Sequence, residues 1–89
     1  MTAERTVLIT NKRGLHARAS AKFVTLAASQ PAEIAVEKDG SKVAGTSIMG
    51  LMMLGAAMGD SVTISAQGDG ADAALVALCG LVENKFGED

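Results

Sequence analysis

The chain has 89 residues, of which 48% are apolar, and a formal net charge of −2. A chain this short is expected to form a single domain, residues 1–89, with a thin core, because small domains bury a limited share of their surface. The negative charge argues against a general nucleic-acid-binding surface, which requires a basic face. The single cysteine excludes an internal disulfide framework and indicates a reducing compartment.

The charges are unevenly spread along the chain. Basic residues are concentrated in the first quarter of the chain, namely Arg5, Lys12, Arg13, Arg18 and Lys22. Acidic residues are concentrated at the other end, namely Glu83, Glu88 and Asp89. We therefore expect a local basic spot around the only histidine, His16. The N-terminus lacks the pattern of a signal peptide, and the longest apolar stretch, residues 47–59, is too short to span a bilayer. A cytoplasmic protein without membrane insertion is expected.

A strand and a helix are the first two predicted elements. Residues 5–10 are rich in β-branched side chains, which predicts a short strand. Residues 17–28 carry a weakly apolar stripe at helical spacing, formed by Ser20, Phe23, Val24 and Ala27. The predicted helix ends before Pro31, which cannot donate a backbone hydrogen bond.

A β-hairpin, a short helix and a further strand follow. Residues 32–45 alternate apolar and polar side chains around Asp39-Gly40, a pair that supplies the positive φ angles of a tight turn. The short helix has Ser47 as its predicted N-cap and Gly55 behind its end. Residues 61–66 again alternate, which predicts a strand with one buried face.

The last predicted helix begins at Asp69, since acidic side chains favour a helix N-terminus. Its apolar stripe comprises Leu75, Leu78, Cys79, Val82 and Phe86. The element order is therefore βαββαβα. This order predicts an α+β fold, in which a four-stranded antiparallel sheet is covered by three helices on one face.

His16 lies between a loop and the predicted start of the first helix. The backbone N–H groups of about Ala17, Arg18 and Ala19 lack intrahelical partners there, and the helix dipole favours an anion. Gly14 lets the loop turn sharply, and the Arg18 side chain suits a phosphate. A neutral imidazole is a competent nucleophile. On these residues alone, a phosphorylatable histidine and a structural histidine both remain open.

No other reactive group is indicated. Cys79 lies on an apolar stripe without a basic neighbour in sequence, so it is expected to fill the core. One histidine, one cysteine and scattered carboxylates do not provide the closely spaced pairs that zinc sites use. We therefore expect neither a metal nor a cofactor.

The motif GLHARAS at residues 14–20, with Phe23-Val24 behind it and TSIMGLMMLGA about thirty residues later, resembles the HPr family of histidine-containing phosphocarrier proteins. The resemblance covers essentially the whole chain and implies an open-faced β-sandwich. It also implies a carrier rather than an enzyme, in which His16 accepts a phosphoryl group on Nδ1. Arg18 would be its charge partner, and the backbone of Ala17 and Arg18 would cradle the phosphate.

The same resemblance implies the partners. Enzyme I of a phosphoenolpyruvate-dependent phosphotransferase system would donate the phosphoryl group, and a IIA-type protein would accept it from a monomeric carrier. Many HPr sequences have proline where this chain has Ala19, and the alanine version is similar to the nitrogen-related NPr branch. Three functions thus stay open: a sugar-transport relay, a nitrogen- or carbon-regulatory relay, and a small binding module that carries no phosphate.

The predicted second helix carries two apolar sets. Three residues that lie three apart can face the sheet, namely Ile48, Leu51 and Leu54. Three methionines cannot all be buried as well, namely Met49, Met52 and Met53. Methionines at helical spacing are more often core than binding surface, whereas the resemblance implies that this helix docks partners. The expected partner contacts are Ile48, Met49 and Met52.

Ser47 has two interpretations. As an N-cap its hydroxyl accepts a hydrogen bond from a free backbone N–H. By resemblance, it also matches the serine that a dedicated kinase phosphorylates in those HPr proteins that have this regulation. A regulatory phosphosite at Ser47 is therefore expected beside its capping role.

Overall fold

A four-stranded antiparallel sheet and three helices make up the fold, which a computed structural model describes for residues 2–88. The elements in chain order are β1 (Thr2–Leu8), α1 (Ala17–Ala28), β2 (Glu33–Lys38), β3 (Ser41–Ala44), α2 (Ile48–Met53), β4 (Ser61–Gln67) and α3 (Ala71–Glu83). The strand order across the sheet is β1-β4-β2-β3, and every pairing is antiparallel. The predicted element order and α+β class are confirmed.

One face of the sheet packs on the helices and the other stays open. Along β4 the side chains of Val62, Ile64 and Ala66 are buried, and those between them are not. On the open face, the hydroxyls of Thr6 and Thr63 form a hydrogen bond of 3.0 Å across β1 and β4. The helices contribute the remaining core, which includes the expected stripe residues Phe23, Ala27, Leu75, Leu78, Cys79 and Val82.

The hairpin between β2 and β3 turns at the predicted pair. Asp39 has φ of 52° and Gly40 has φ of 84°, so both central residues adopt the positive φ that a two-residue hairpin loop requires. The loop places Lys38 directly opposite Ser41. Here a local dipeptide signal determined the register of two strands.

Two predicted boundaries differ from the structure. β1 spans Thr2–Leu8 rather than residues 5–10, because Ile9 has left the ladder and exchanges backbone hydrogen bonds of 2.8 Å with Asp60 and Gly59 instead. α3 begins at Ala71 rather than Asp69. Its N-cap is Gly70, whose φ of 71° is the left-handed conformation that glycine adopts readily.

Phe86 is buried as predicted, but it does not continue the stripe of α3. The helix ends at Glu83, and a single 3₁₀-type turn, Lys85–Gly87, follows it. Lys85, Phe86 and Gly87 all have positive φ, so the chain reverses direction here. Lys22 on α1 donates a 2.7 Å hydrogen bond from Nζ to the Phe86 carbonyl. This bond fixes the last described residues against α1.

Within residues 2–88, none of the helices has the length and apolar character that crossing a membrane would require.

Candidate functional site

His16 is the N-cap of α1. Its backbone is extended, with φ of −76° and ψ of −179°, and its carbonyl accepts the first helical hydrogen bond, from Ser20, at 2.9 Å. Its Nδ1 accepts a hydrogen bond of 3.2 Å from the backbone N–H of Arg18. The imidazole therefore occupies the position at which Ser, Thr or Asp usually satisfies a free N–H. The predicted location of His16 at the junction of loop and helix is confirmed.

The loop ahead of His16 is pinned to the segment that follows α2. Leu15 is buried and donates a backbone hydrogen bond of 2.9 Å to the Ala56 carbonyl. Gly14 has φ of 63°, and a Cβ atom there would collide with the Ala56 carbonyl oxygen and lie 2.8 Å from the Ala57 Cα. Only glycine fits this close approach of two backbones. The required glycine holds the imidazole in place relative to α2.

A carboxylate faces the other ring nitrogen of His16. Nε2 lies 3.0 Å and 3.2 Å from the two carboxylate oxygens of Glu88. Asn11, which is fully buried, donates from Nδ2 to Glu88 Oε1 at 2.9 Å and to the Gly14 carbonyl at 2.8 Å. The hydrogen bonds from Asn11 and then from His16 lower the pKa of Glu88 below its ordinary value. Glu88 is therefore ionised at neutral pH.

Each ring nitrogen thus has a defined partner. An ionised carboxylate can only accept hydrogen bonds, so Nε2 carries the hydrogen and donates a hydrogen bond to Glu88. Nδ1 faces the N–H of Arg18, which can only donate, so Nδ1 presents its lone pair. The geometry assigns the neutral ring the tautomer in which Nδ1 is the nucleophilic atom.

The expected basic spot exists, but it contains an acid. A cleft of about 180 Å³ beside His16 is lined by Lys12, Arg13, Arg18 and Glu88. In the sequence, Glu88 lies at the acidic end, far from the basic residues. The turn after α3 brings its side chain next to them in space. Neither Glu88 nor Asn11 was predicted as a site residue. Glu88 lies 72 positions from His16, and no local pattern marks so distant a contact.

α2, which packs against α1, begins with a different cap. Ser47 is its N-cap, and Oγ accepts from the backbone N–H of Gly50 at 3.0 Å, which confirms the predicted capping role. Leu51 and Leu54 are buried as expected. Ile48 was predicted to be able to face the sheet, and this prediction is wrong: its side chain is 41% exposed. Ile48 is the first residue of α2, one turn ahead of Leu51 and Leu54, which are the residues that the helix buries.

The methionines of α2 are exposed, as expected. Met49 is 68% exposed, Met52 41% and Met53 80%. With Ile48 they form a continuous exposed apolar set on one helix, which we call the α2 surface. Large apolar side chains that cluster on the outside of a small domain indicate an interaction site more often than scattered ones do. The helix packs against α1, which carries His16.

The remaining groups do not add to the site. Cys79 is fully buried, and burial raises the pKa of its thiol, so it remains an unreactive core residue. In the part of the chain from 2 to 88, no three His, Cys, Asp or Glu side chains come together to hold a metal ion. A larger cleft of about 550 Å³ lies near the C-terminal end of α1 and is lined by none of the predicted site residues.

Comparison with known proteins gives consistent matches. A family model described as "PTS HPr component phosphorylation site" matches residues 3–84. The chain is 47% identical over 85 residues to phosphocarrier protein NPr of Shewanella violacea, covering 96% of this chain and 93% of that protein. It is 44% identical to phosphocarrier protein HPr of Cupriavidus necator, covering 96% of each. A crystal structure of HPr from Thermoanaerobacter tengcongensis superposes with a TM-score of 0.93 at 49% identity and covers 98% of both chains.

Proposed function

The chain belongs to the HPr family of phosphocarrier proteins, and from that premise we propose that His16 carries the phosphoryl group between phosphorylated enzyme I and a IIA-type protein. The observation that supports this most is the Nδ1 lone pair, which is presented at the N-terminus of α1. It lies 3.2 Å from the N–H of Arg18. A nucleophile is thereby placed beside the backbone donors that would receive the anion it acquires.

The transfer itself needs no proton to leave the ring. The Nδ1 lone pair forms the new N–P bond while the bond between phosphorus and the donor atom of enzyme I breaks and its electron pair returns to that atom. The Arg18 N–H must exchange its acceptor, from Nδ1 to a phosphoryl oxygen. With the N–H of Ala17 it would cradle the group, and the Arg18 guanidinium would supply a charge suited to phosphate. Passage to the IIA-type protein is the reverse of these steps.

A regulatory relay is the second candidate, and one residue favours it. Ala19 occupies the first turn of α1 and is fully buried, at a position where many HPr sequences have proline. An NPr protein is among the relatives at nearly half identity. In this version the acceptor would be a IIA-type protein that controls nitrogen or carbon metabolism rather than a sugar permease component. The carrier chemistry at His16 is the same in both.

We further propose that the α2 surface docks both partners. Exposed methionines suit a surface that must fit several proteins in turn, because their side chains adapt readily. Met49 and Met52, with Ile48, would make the contacts. Ser47, which is only partly exposed at the start of this helix, would be the target of a regulatory kinase. A monomer acting in the cytoplasm fits this role.

A phosphotransfer assay tests the proposal. The protein is incubated with enzyme I, magnesium and labelled phosphoenolpyruvate, and we expect a label that is lost in acid and kept in alkali. His16→Ala should take up no label. Arg18→Ala should be labelled more slowly, since the helix amides remain. Undiminished labelling of a folded His16→Ala protein, verified by circular dichroism, would sink the assignment of His16, whereas a wild-type protein that takes up no label would favour the binding module that carries no phosphate.

The acceptor is identified in a second stage. Labelled protein is mixed separately with a IIA protein of a sugar permease and with a nitrogen-type IIA protein. Faster loss of label to the sugar-type protein supports transport. Faster loss to the nitrogen-type protein assigns the chain to regulation.

A further inference from the structure

Glu88 is held against His16 by more than one interaction. Asn11 directs both hydrogens of its amide at acceptors, one of them Glu88 Oε1, so the amide orientation is determined by its partners. Its own Oδ1 is buried without a hydrogen-bond partner among the residues the structure describes. Leaving an acceptor unsatisfied is costly. Asn11 thus holds the Glu88 carboxylate through Nδ2 in an orientation that leaves its Oδ1 without a hydrogen bond among the described residues.

The backbone that delivers Glu88 is unusual as well. Lys85 and Phe86 have φ of 56° and 55°, a conformation that bulky residues rarely adopt. The fully buried ring of Phe86 and the hydrogen bond from Lys22 to the Phe86 carbonyl keep this turn in place. Glu88 follows it directly, and its side chain is only 21% exposed. A freely mobile terminal side chain would have none of these restraints.

We propose that Glu88, held by Asn11, is a positioning residue that makes Nδ1 the accepting nitrogen of His16 and withholds Nε2 from phosphorylation. This inference rests on the proposed function of His16. By accepting the Nε2 hydrogen at 3.0 Å, the carboxylate removes the lone pair from that nitrogen and also covers it. The only lone pair left on the ring is that of Nδ1, which points at the helix amides.

The same carboxylate compensates charge in the product. When Nδ1 takes a phosphoryl group and Nε2 keeps its hydrogen, the ring becomes cationic. Glu88 then faces a full positive charge at hydrogen-bond distance, while the phosphoryl oxygens meet the backbone donors and Arg18. The other charged groups lining the cleft are Lys12 and Arg13. Their positive charges attract the phosphoryl anion and repel the cationic ring. Among the residues that the structure describes, Glu88 is the one acid in that lining.

The test uses phosphoramidate, a small reagent that phosphorylates histidine without enzyme I. Its P–N bond breaks, ammonia departs and the phosphoryl group forms a bond to a ring nitrogen. The wild-type protein, Glu88→Gln and the matched control Glu83→Gln are treated in the same way. Glu83→Gln removes an equal charge from the exposed end of α3. The ³¹P signals and the ¹⁵N–³¹P couplings of ¹⁵N-histidine-labelled protein identify the modified nitrogen.

We expect modification of Nδ1 alone in the wild-type protein and in Glu83→Gln, and of both nitrogens in Glu88→Gln. Asn11→Ala should shift the isomer ratio in the same direction.

Modification of Nδ1 alone in a Glu88→Gln protein whose remaining amide spectrum is unchanged would overturn the inference. Modification of Nε2 in the wild-type protein would do so as well. Because enzyme I is absent from this experiment, its result is independent of the phosphotransfer assay. Selective Nδ1 modification with no label from enzyme I would reject the relay and retain the role of Glu88.

Discussion

The first two helices both begin with a side chain that caps a free backbone N–H, but charged residues surround the first cap and apolar residues follow the second. At α1 an imidazole nitrogen accepts from an amide of the first turn at 3.2 Å, and at α2 a serine hydroxyl does so at 3.0 Å. Around the first cap lie bases and one carboxylate, whereas the second leads into exposed apolar side chains. The N-cap alone does not determine what a helix start binds. The side chains around the cap determine which groups can bind there.

Helix length reinforces the difference. α1 has 12 residues and α2 has six, so α1 aligns more peptide dipoles behind its start than α2 does. Neither helix has an acidic residue in its first turn. On these differences we propose phosphate chemistry at the start of α1 and docking at the α2 surface.

The link between the two helices depends on Gly14. Gly14→Ala should destabilise the protein by about 3–5 kcal/mol, because a positive φ and a collision with the Ala56 backbone add together. Gly55→Ala is the matched control: its φ of 66° is nearly the same as the 63° of Gly14, but a Cβ atom there meets nothing within 4 Å. It should cost about 1–2 kcal/mol. Urea unfolding measures both, and equal losses would show that the close approach to Ala56 is unimportant.

The docking role is tested at Met52. Met52→Glu should weaken binding to enzyme I at least about tenfold, since the docking face of enzyme I is acidic by family resemblance and like charges repel. Its stability should change by no more than about 0.5 kcal/mol, as is usual for exposed positions. Val76→Glu, at a 61% exposed position on α3, is the control for added charge. Calorimetric titration distinguishes the two. A large fall in melting temperature for Met52→Glu would instead place Met52 in the core.

The smallest effect is expected at Ser47. Ser47→Asp keeps a capping oxygen and adds a negative charge at a helix start, so the melting temperature should stay the same or rise. Phosphate uptake from enzyme I should slow, most clearly at low salt, where the new charge repels the acidic partner with least screening. Ser41→Asp, on the exposed hairpin, carries the same charge elsewhere and should retain the normal rate. An unfolded Ser47→Asp protein, or one that accepts phosphate at the normal rate at every salt concentration, would refute this electrostatic account.

Local signals in the sequence predicted the parts of the fold that depend on neighbouring residues. Asp39-Gly40 identified a hairpin because its positive φ angles are a property of the dipeptide itself. His16 was predicted at the start of α1 because the glycine before it and the helical spacing behind it lie within a few positions. The cap at Ser47 has the same local origin. These features need no knowledge of the tertiary structure.

What the sequence did not indicate depends on chain reversal and on packing between distant segments. Phe86 extends the helical spacing of α3, yet the positive φ at Lys85 and Phe86 breaks the helix before it. That break brings Glu88 to His16, and no local sequence pattern near either residue predicts the contact. The exposure of Ile48 has a related cause. Its spacing fits a buried stripe, but Ile48 is the first residue of the helix and is exposed, and burial begins only at Leu51.

The division between the two helix starts is tested most directly by the backbone amide spectrum of the protein before and after phosphorylation by enzyme I. If the start of α1 receives the phosphoryl group, its oxygens replace Nδ1 as acceptors, and the amide signals of Ala17 and Arg18 should move more than any others. Those of Met49 and Gly50, at the start of α2, should hardly change. Shifts that are largest at the start of α2, or a phosphorylated protein whose Ala17 and Arg18 signals stay in place, would contradict the account.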